Sequence, residues 1–242
     1  MLTLFTTPPS IQGTPNPSSF CIKLECTLRL AGVSFTTTHV ANPGVGPKGK
    51  VPFAEYKGER IGDSTLIIDR LEADGLISLD NHLSARDRAL SHAMQRLLDE
   101  RLYWVLVYSR WFEAENWPHV YKAFFAGMPF GMRSLVSGMA RRGVWSNMRG
   151  HGIGLHTRDE IYALGHADLV ALSDALGDQA FYFGSKPTLC DASVYAMVIS
   201  IIGPDIDSPL KASALSLPNL VSHCERMGEI FARSGRQLAV AA

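Results

Sequence analysis

The segment GKVPFAEYKGERIGDSTLII, residues 49–68, carries the pattern that decides the fold. Two short runs of strand type, Val51–Tyr56 and Glu59–Ile61, flank a Lys-Gly pair and predict a β-hairpin. Asp63-Ser64 follows the hairpin, and the apolar residues after this pair recur at helical spacing, so a helix is expected to begin there. The segment therefore predicts two hairpin strands that lead directly into a helix.

The residues before this segment predict the first half of an α/β unit. Leu2–Phe5 is typical of a strand, and Thr6–Pro17 is a proline-rich loop. The apolar spacing after Ser18 predicts a helix that ends at Gly32, and Val33–Val40 is rich in Val, Phe and Thr, which favours a further strand. The order strand, helix, strand, strand, strand, helix predicts an α/β domain over residues 1–76.

The sequence after Leu79 has a helical pattern. Ala85–Glu115 shows an unbroken helical spacing of apolar residues, and Pro118 is expected to end that helix. Further helices are predicted at residues 130–148, 158–176, 189–202 and 217–233. The predicted fold class is therefore α/β followed by all-α, with an all-helical second domain over residues 84–242.

Composition and charge exclude several classes of protein. The 242-residue chain has 23 basic and 23 acidic residues, so its net charge of zero gives no field for gathering nucleic acid. The longest apolar run, Ala196–Ile202, is interrupted by Ser200 and is too short to span a membrane. The first residues lack the pattern of a signal peptide. We therefore expect a cytoplasmic protein with no membrane span and no nucleic-acid partner.

The cysteines and histidines predict neither a disulfide scaffold nor a metal site. The four cysteines have irregular spacing, and the eight histidines include no pair at a metal-binding spacing on a convincing element. The cysteines are Cys21, Cys26, Cys190 and Cys224. Free thiols in a reducing compartment are expected.

Ser18 is the first candidate for chemistry because it stands between a loop and a helix N-terminus. Unpaired backbone N–H groups and the positive end of the helix dipole stabilise an anion there, including a thiolate, and a serine hydroxyl can donate to it. The alternative is that Ser18 is only an N-cap. Cys21, one turn into the helix, is expected to have a lowered pKa, but without a cysteine at position 18 it lacks a C-x-x-C partner.

Lys50-Val51-Pro52 forms the second candidate, at the start of the hairpin. If the Val51-Pro52 bond is cis, the backbone N–H and carbonyl of Val51 are free to pair with an extended, peptide-like ligand. The alternative is a trans proline at the first residue of a strand, which is the commoner arrangement. The motif thus predicts either a backbone ladder for a peptide or an ordinary strand start.

Asp63-Ser64 forms the third candidate, at a second helix N-terminus. Ser64 can offer its N–H and hydroxyl to a ligand carboxylate, and Asp63 can pair with an ammonium group. The alternative is that the pair only caps the helix. Combined with a thiolate site at Ser18 and a backbone ladder at Val51, the pair provides what a bound tripeptide thiol requires.

Two motifs in the expected order resemble the glutathione transferase superfamily. Gly49–Pro52 followed by Gly58–Ile68 is similar to its thioredoxin-like glutathione-binding domain, and Phe183–Ser193 resembles the start of a buried helix in its helical domain. In the second motif, Thr188 and Asp191 fit a capping box, so Asp191 is assigned to folding and not to catalysis.

Two further segments resemble one branch of this superfamily. Ser18–Glu25 and Leu102–Trp111 are similar to the failed-axon-connections and metaxin-like proteins. The resemblance covers nearly the whole chain. It implies a thioredoxin-like domain, a helical domain and a glutathione site in the cleft between them.

The resemblance also implies roles for particular residues. Ser18 would be the catalytic residue that donates to the thiolate, with Ser19 and Cys21 beside it, although Ser19 stands where proline normally follows the catalytic residue. Glutathione would also contact Lys50, Val51, Pro52, Asp63 and Ser64. The expected function is conjugation of glutathione to a small hydrophobic electrophile by a homodimer. The alternative is a non-catalytic binding or scaffold protein of the metaxin type.

Two further features each have two interpretations. Aromatic residues at near-helical spacing form either the wall that contacts the electrophile or ordinary core. They are Tyr103, Trp104, Tyr108, Trp111 and Phe112.

Between Asn116 and Arg158 the chain has no acidic residue. This predicts a positive face that attracts anionic substrates or a membrane surface; the alternative is a solvated helix face. The basic residues there are Lys122, Arg133, Arg141, Arg142, Arg149 and Arg158.

Overall fold

The computed structural model describes residues 1–240, with all side chains except those of Phe130 and residues 235–240. The first part is a mixed sheet of strands β1 (Leu2–Thr6), β2 (Thr36–His39), β3 (Phe53–Tyr56) and β4 (Glu59–Gly62), in the order β2-β1-β3-β4. β2 is parallel to β1, whereas β3 is antiparallel to both β1 and β4. Helix α1 (Ser19–Leu30) follows β1, and helix α2 (Ser64–Ala73) follows β4. The predicted α/β part of the fold is confirmed.

The sheet register brings three separate segments to one end of the sheet. Phe53 pairs with Phe5 on one side and with Gly62 on the other. The row Phe5, Phe53, Gly62 therefore lies at one end of the strands, and the chain leaves or enters the sheet there at each strand. The loop before α1, the Val51-Pro52 turn and the start of α2 consequently extend from this same end of the sheet.

The rest of the described chain is helical, which confirms the all-α part of the fold class. The helices are α3 (Ala85–Arg96), α4 (Tyr103–Trp111), α5 (Trp117–Phe125), α6 (Phe130–His151), α7 (Arg158–Leu176), α8 (Leu189–Ile202), α9 (Pro209–Leu215) and α10 (Pro218–Val240). A π-helical segment, Leu97–Leu102, joins α3 to α4, so the helix predicted as unbroken is continuous to Trp111 but changes its hydrogen bonding midway. Within residues 1–240, no helix is both long and apolar enough to cross a membrane.

Two of these helices, α5 and α9, were not predicted by the apolar spacing. Both are short, and both have a proline in the first turn, Pro118 in α5 and Pro209 in α9. Proline is well tolerated there because the first-turn N–H groups have no partner within the helix. Pro118 therefore lies in the first turn of a new helix, α5, shortly after the end of α4.

Helix α1 is buried on both sides, which fixes the α/β unit against the helices. Leu24 and Leu28 pack with the apolar residues of the sheet. Ile22 and Cys26 lie on the other face and belong to the core built around α8. Because both faces are covered by apolar side chains, the α1 N-terminus is held firmly at the junction of the two parts.

A buried ion pair reinforces this junction. The Lys23 ammonium of α1 lies 2.7 Å from the Asp99 carboxylate of the π-helical segment; Lys23 is buried and Asp99 is partly buried. Arg96 donates to the same carboxylate at 2.7 Å. The two cations neutralise Asp99, which is required for a carboxylate away from water.

Candidate functional site

A polar network holds the loop that leads to Ser18. Oδ1 of Asn16 accepts from the Thr7 hydroxyl at 2.7 Å and from the Ser18 N–H at 3.0 Å. Nδ2 of Asn16 donates to the Thr7 carbonyl at 2.8 Å, and both side chains are buried. The network fixes the backbone of Ser18 at the start of α1. Sequence reasoning did not identify Asn16, because a lone Asn in a Pro-rich loop is typical of many turns.

Ser18 is the N-cap of α1. Its Oγ accepts from the Cys21 N–H at 3.4 Å, and its carbonyl accepts from the N–H groups of Cys21 and Ile22. Capping uses an oxygen lone pair and leaves the hydroxyl proton available, so Ser18 can cap the helix and still donate to a thiolate. The N–H groups of Ser19 and Phe20 have no partner among residues 1–240. The helix N-terminus therefore keeps donors for an anion.

Cys21 lies in the interior behind Ser18. Its side chain is 1% exposed, and burial raises the pKa of its thiol to about 11, although hydrogen bonds from Ser18 and Thr7 act in the opposite direction. The lowered pKa expected from the helix dipole is therefore replaced by a raised one, because desolvation of a thiolate outweighs the hydrogen bonds. Cys21 is consequently a neutral thiol at physiological pH.

Asp63 is the residue that caps α2. Its φ is +88°, and its Oδ1 accepts from the N–H groups of Thr65 at 2.8 Å and Leu66 at 3.4 Å. Ser64 is buried, and neither its N–H nor its hydroxyl has a hydrogen-bond partner in the described part of the chain. The donors of Ser64 thus remain available for a ligand carboxylate, while the exposed carboxylate of Asp63 is engaged with the helix.

The Val51-Pro52 turn lies between these two helix starts. The peptide bond between the two residues is cis. The backbone N–H and carbonyl of Val51 form no hydrogen bond within residues 1–240. Lys50 is exposed, Val51 is half-buried and Pro52 is buried. The turn therefore presents the unpaired backbone of Val51 at the same end of the sheet as Ser18 and Ser64.

Two small cavities adjoin these segments on the side of the helices. One, of about 210 Å³, is lined by Asp63, Ser64 and the π-helical segment. The other, of about 150 Å³, is lined by Ser18, Ser19 and α4. Tyr103 contributes to the walls of both, so the two cavities are neighbours. Their arrangement gives one polar compartment beside α2 and one mainly apolar compartment beside α1.

The aromatic candidates divide into two groups. Tyr103 and Trp104 line the 210 Å³ cavity, and Tyr103 and Trp111 line the 150 Å³ cavity. Tyr108 does not line either cavity, because it packs against Phe112 and Tyr162 within the helical core. Burial raises the pKa of Tyr103, so its phenol stays protonated. Of the set, three rings line one or both of these cavities.

Arg110 is a cavity residue that sequence reasoning missed. Its guanidinium is buried and donates to the Pro17 carbonyl at 2.7 Å and to the Ser200 carbonyl at 2.6 Å. It therefore connects the loop before Ser18 to α4 and to the last turn of α8. The sequence could have indicated Arg110, because it is a single cation on an otherwise apolar helix face. A charged side chain at such a position is buried with the face and needs polar partners there.

The basic stretch between Asn116 and Arg158 is only partly a free positive face. Arg158 pairs with Glu113 at 2.8 Å, and Arg141 stacks over the Trp117 ring at 4.8 Å. Arg142 and Arg149 are exposed beside an open depression of about 650 Å³ on α6. This depression lies outside the two cavities beside Ser18 and Ser64. In the described residues, no group of three or more His, Cys, Asp or Glu side chains is placed to hold a metal ion.

Family comparisons agree with this arrangement of a sheet domain followed by helices. Residues 19–116 match the model of the glutathione S-transferase N-terminal domain, and residues 165–227 match the model of the glutathione S-transferase C-terminal domain. The chain belongs to the glutathione S-transferase superfamily. The resemblance inferred from the two sequence motifs is therefore confirmed.

Relatives within the superfamily include proteins of different kinds. Failed axon connections of Drosophila melanogaster is 32% identical over 232 residues, which cover 88% of this chain and 54% of the relative. The isoprene-epoxide–glutathione S-transferase of Rhodococcus sp. strain AD45 is 28% identical, covering 89% of this chain and 93% of the relative. Human metaxin-1 is 28% identical, covering 84% and 45%. The chain thus spans about half the length of two of these relatives.

The fold agrees with solved glutathione transferases. The crystal structure of the glutathione transferase GSTFuA3 from Phanerochaete chrysosporium superposes with a TM-score of 0.66 at 14% identity, covering 95% of this chain and 96% of the other. At this identity the likeness concerns the fold alone. It confirms the predicted pairing of a thioredoxin-like domain with a helical domain.

Proposed function

We propose that this protein binds glutathione and transfers its thiolate to a small hydrophobic electrophile. The observation that carries the proposal is the convergence of three sets of unpaired donors at one end of the sheet. Those donors belong to the α1 N-terminus at Ser18, the Val51 backbone and Ser64 at the start of α2. A bound tripeptide thiolate has an anionic sulfur, an extended backbone and a terminal carboxylate. The sulfur can accept from the α1 N-terminus, the backbone can pair with Val51, and the carboxylate can accept from Ser64.

Each donor has a distinct role in this proposal. Ser64 binds the carboxylate at the γ-glutamyl end, next to Tyr103 and Trp104, and Asp63 pairs with the ammonium group. Val51, held between Lys50 and Pro52, pairs with the cysteinyl backbone. Ser18 donates its hydroxyl proton to the sulfur, which lowers the pKa of the bound thiol. Catalysis then combines a higher thiolate fraction with the proximity of a bound electrophile.

The proposal is tested by separating binding from turnover. Retention on immobilised glutathione and a dissociation constant from calorimetry measure binding, and conjugation of a generic aryl halide measures turnover. Ser18→Ala is expected to lower kcat by about 10²-fold or more while the dissociation constant of glutathione changes little, because the hydroxyl acts on the sulfur. Ser10→Ala, in the same loop eight residues before Ser18, is the matched control. A Ser18→Ala enzyme with unchanged kcat would contradict the proposal.

A specific observation favours a second candidate function, a glutathione-transferase-fold scaffold without catalysis. Oδ1 of Asp63 already accepts two backbone N–H groups of α2, so this carboxylate caps the helix and has only Oδ2 left for a ligand ammonium group. Failed axon connections and metaxin-1 share the fold and most of this chain's length. Binding of glutathione without turnover, or no binding at all, would favour this candidate.

We also propose that the protein is a cytoplasmic homodimer. Helices α2 and α3 each carry a leucine that is nearly half exposed, Leu66 and Leu90 respectively, and a polar groove of about 510 Å³ lies between these two helices. A two-fold partner that covers both helices would bury these side chains, and two-fold pairs are the commonest soluble oligomers. All four cysteines are reduced and buried, which suits a reducing compartment.

A further inference from the structure

The cavity beside α1 has a buried hydroxyl in its wall that no described residue satisfies. Ser19 is 4% exposed, and its Oγ has no hydrogen-bond partner among residues 1–240. Buried polar side-chain atoms nearly always have a partner, and an exception indicates a missing ligand, ion or water. The Ser19 hydroxyl is therefore an unused donor in a residue that lines the cavity.

The same wall contains a buried cation without a counter-ion. Arg110 is 6% exposed and forms no ion pair with a carboxylate in the described part of the chain. A guanidinium has more N–H donors than its two bonds to carbonyls use. Burial lowers the pKa of Arg110 to about 10, so it remains charged at neutral pH. A buried cation of this kind is strongly stabilised when an anion reaches it.

Apart from Ser18, the remaining walls of the cavity are apolar. They consist of Pro17, Leu106, Val107, Trp111 and Phe124, with the ring of Tyr103 at the boundary to the neighbouring cavity. With a volume of about 150 Å³, the cavity has room for a short hydrocarbon chain beside the polar group. The cavity thus combines one anion-binding corner with a short hydrophobic channel.

We propose that this cavity binds a short aliphatic carboxylate, with the carboxylate at Arg110 and Ser19 and the hydrocarbon chain against Leu106, Val107 and Trp111. A saturated carboxylate offers no carbon for a thiolate to attack, so this proposal concerns binding alone and does not rest on the proposed function.

Ligand chemistry provides the first test, which uses the unmodified 242-residue chain. Calorimetry at pH 7 compares pentanoate with pentanamide, which has nearly the same shape and no charge. Pentanoate is expected to bind at least about tenfold more tightly, because a charge-assisted bond to a buried group replaces a neutral one. Equal dissociation constants, or no binding of pentanoate, would overturn the proposal.

Variants provide the second test. Ser19→Ala is expected to weaken pentanoate binding about threefold or more without lowering the melting temperature, since its hydroxyl bonds to nothing within residues 1–240. Ser109→Ala is the matched control, because this buried hydroxyl on α4 donates to the Leu106 carbonyl and does not line the cavity. Unchanged pentanoate affinity in Ser19→Ala, with the control also unchanged, would overturn the placement of the carboxylate.

Arg110→Lys keeps the charge but loses the planar set of donors, so weaker pentanoate binding is expected in a protein whose circular dichroism is unaltered. Pentanoate affinity equal to that of the unmodified protein would remove Arg110 from the site. If the variant does not fold, the comparison of pentanoate with pentanamide and the Ser19→Ala result decide the matter without it.

Titration in the presence of saturating glutathione distinguishes a separate ligand from glutathione itself. If pentanoate binds equally well with and without glutathione, the cavity holds a second molecule, as proposed. If glutathione abolishes pentanoate binding, the anion corner belongs to glutathione and the proposal of a separate carboxylate is overturned. If glutathione does not bind at all, the proposed function fails while the pentanoate result still decides this inference.

Discussion

Ser64 and Asp63 are adjacent residues with separable functions. Ser64→Ala is expected to weaken glutathione binding about tenfold, because it removes a buried donor for a carboxylate. The free energy of unfolding should change by less than about 1 kcal/mol, since the hydroxyl bonds to no described residue. Asp63→Ala is the complementary control and should cost about 0.5–2 kcal/mol, because it removes the cap of α2. Calorimetry and urea unfolding measure the two effects, and an unchanged dissociation constant in Ser64→Ala would contradict the assignment.

Buried cysteine thiols make stability depend on alkaline pH, because burial raises the pKa of all four. Burial raises the pKa of Cys21 to about 11 and that of Cys224 to about 12. In the unfolded chain these thiols ionise near pH 9, so above that pH the unfolded state loses protons that the folded state retains. Stability is therefore expected to be full below pH 9 and to fall as pH rises towards 11, by up to about 1.4 kcal/mol per pH unit for each thiol.

Urea unfolding between pH 8 and pH 11 measures this dependence. Cys21→Ser should make the decline shallower and should retain most conjugating activity, because a neutral buried thiol is a poor nucleophile. A collapse of activity in Cys21→Ser would instead identify Cys21 as the thiol partner. An equally steep decline in that variant would show that Cys21 does not contribute to it.

At the scale of the element, α8 depends on the buried carboxylate of Asp191. This side chain accepts from the N–H and hydroxyl of Thr188, from the N–H of Tyr182, and lies 2.9 Å from Nε2 of His223. Asp191→Ala is expected to lower the free energy of unfolding by about 3 kcal/mol or more, because several buried donors lose their acceptor together.

The matched control for Asp191 is Glu160, which completes the same capping box at the start of α7 on the surface. Glu160→Ala should have a much smaller effect, because water replaces the lost acceptor. Thermal melting of the two variants provides the comparison. Equal losses would show that the local capping box, and not its burial, sets the stability of α8.

The loop before α1 and the end of α8 meet at two glycines. A Cβ at Gly13, whose φ is +82°, would lie 1.9 Å from the Gly203 carbonyl oxygen. Gly13→Ala should therefore shift the loop, lower the free energy of unfolding by at least about 2 kcal/mol and weaken glutathione binding. Gly32→Ala is the control, because φ is +67° there but nothing lies within 4 Å of the added carbon. Its expected cost is about 1 kcal/mol. Similar losses in the two variants would contradict the role of the close approach.

At the scale of the whole molecule, the prediction is a homodimer. Light scattering at micromolar concentration should give about twice the chain mass of 26.5 kDa. Leu66→Glu combined with Leu90→Glu should reduce the mass to that of one chain, because two carboxylates would enter the covered face. Leu135→Glu, at an exposed leucine of α6, is the control and should leave the dimer intact. A single-chain mass for the unmodified protein would contradict the prediction.

The sequence by itself determined the elements and the three places where a peptide thiol could bind. Hairpin spacing, apolar periodicity and helix-start residues depend on neighbours within a few positions, so Val51–Tyr56, Glu59–Ile61 and the helix starts at Ser18 and Asp63 could be recognised without tertiary information. The short helices α5 and α9 could not, because each is stabilised mainly by packing and has too few residues to show a period.

Tertiary structure alone decided which atoms are available at the site. The sheet register places Ser18, Val51 and Ser64 at one end of the sheet. Burial, which depends on contacts distant in sequence, raises rather than lowers the pKa of Cys21. It also leaves the cation of Arg110 and the hydroxyl of Ser19 together in one cavity wall. Such properties result from which segments exclude water from each other, and no local pattern of residues contains that information.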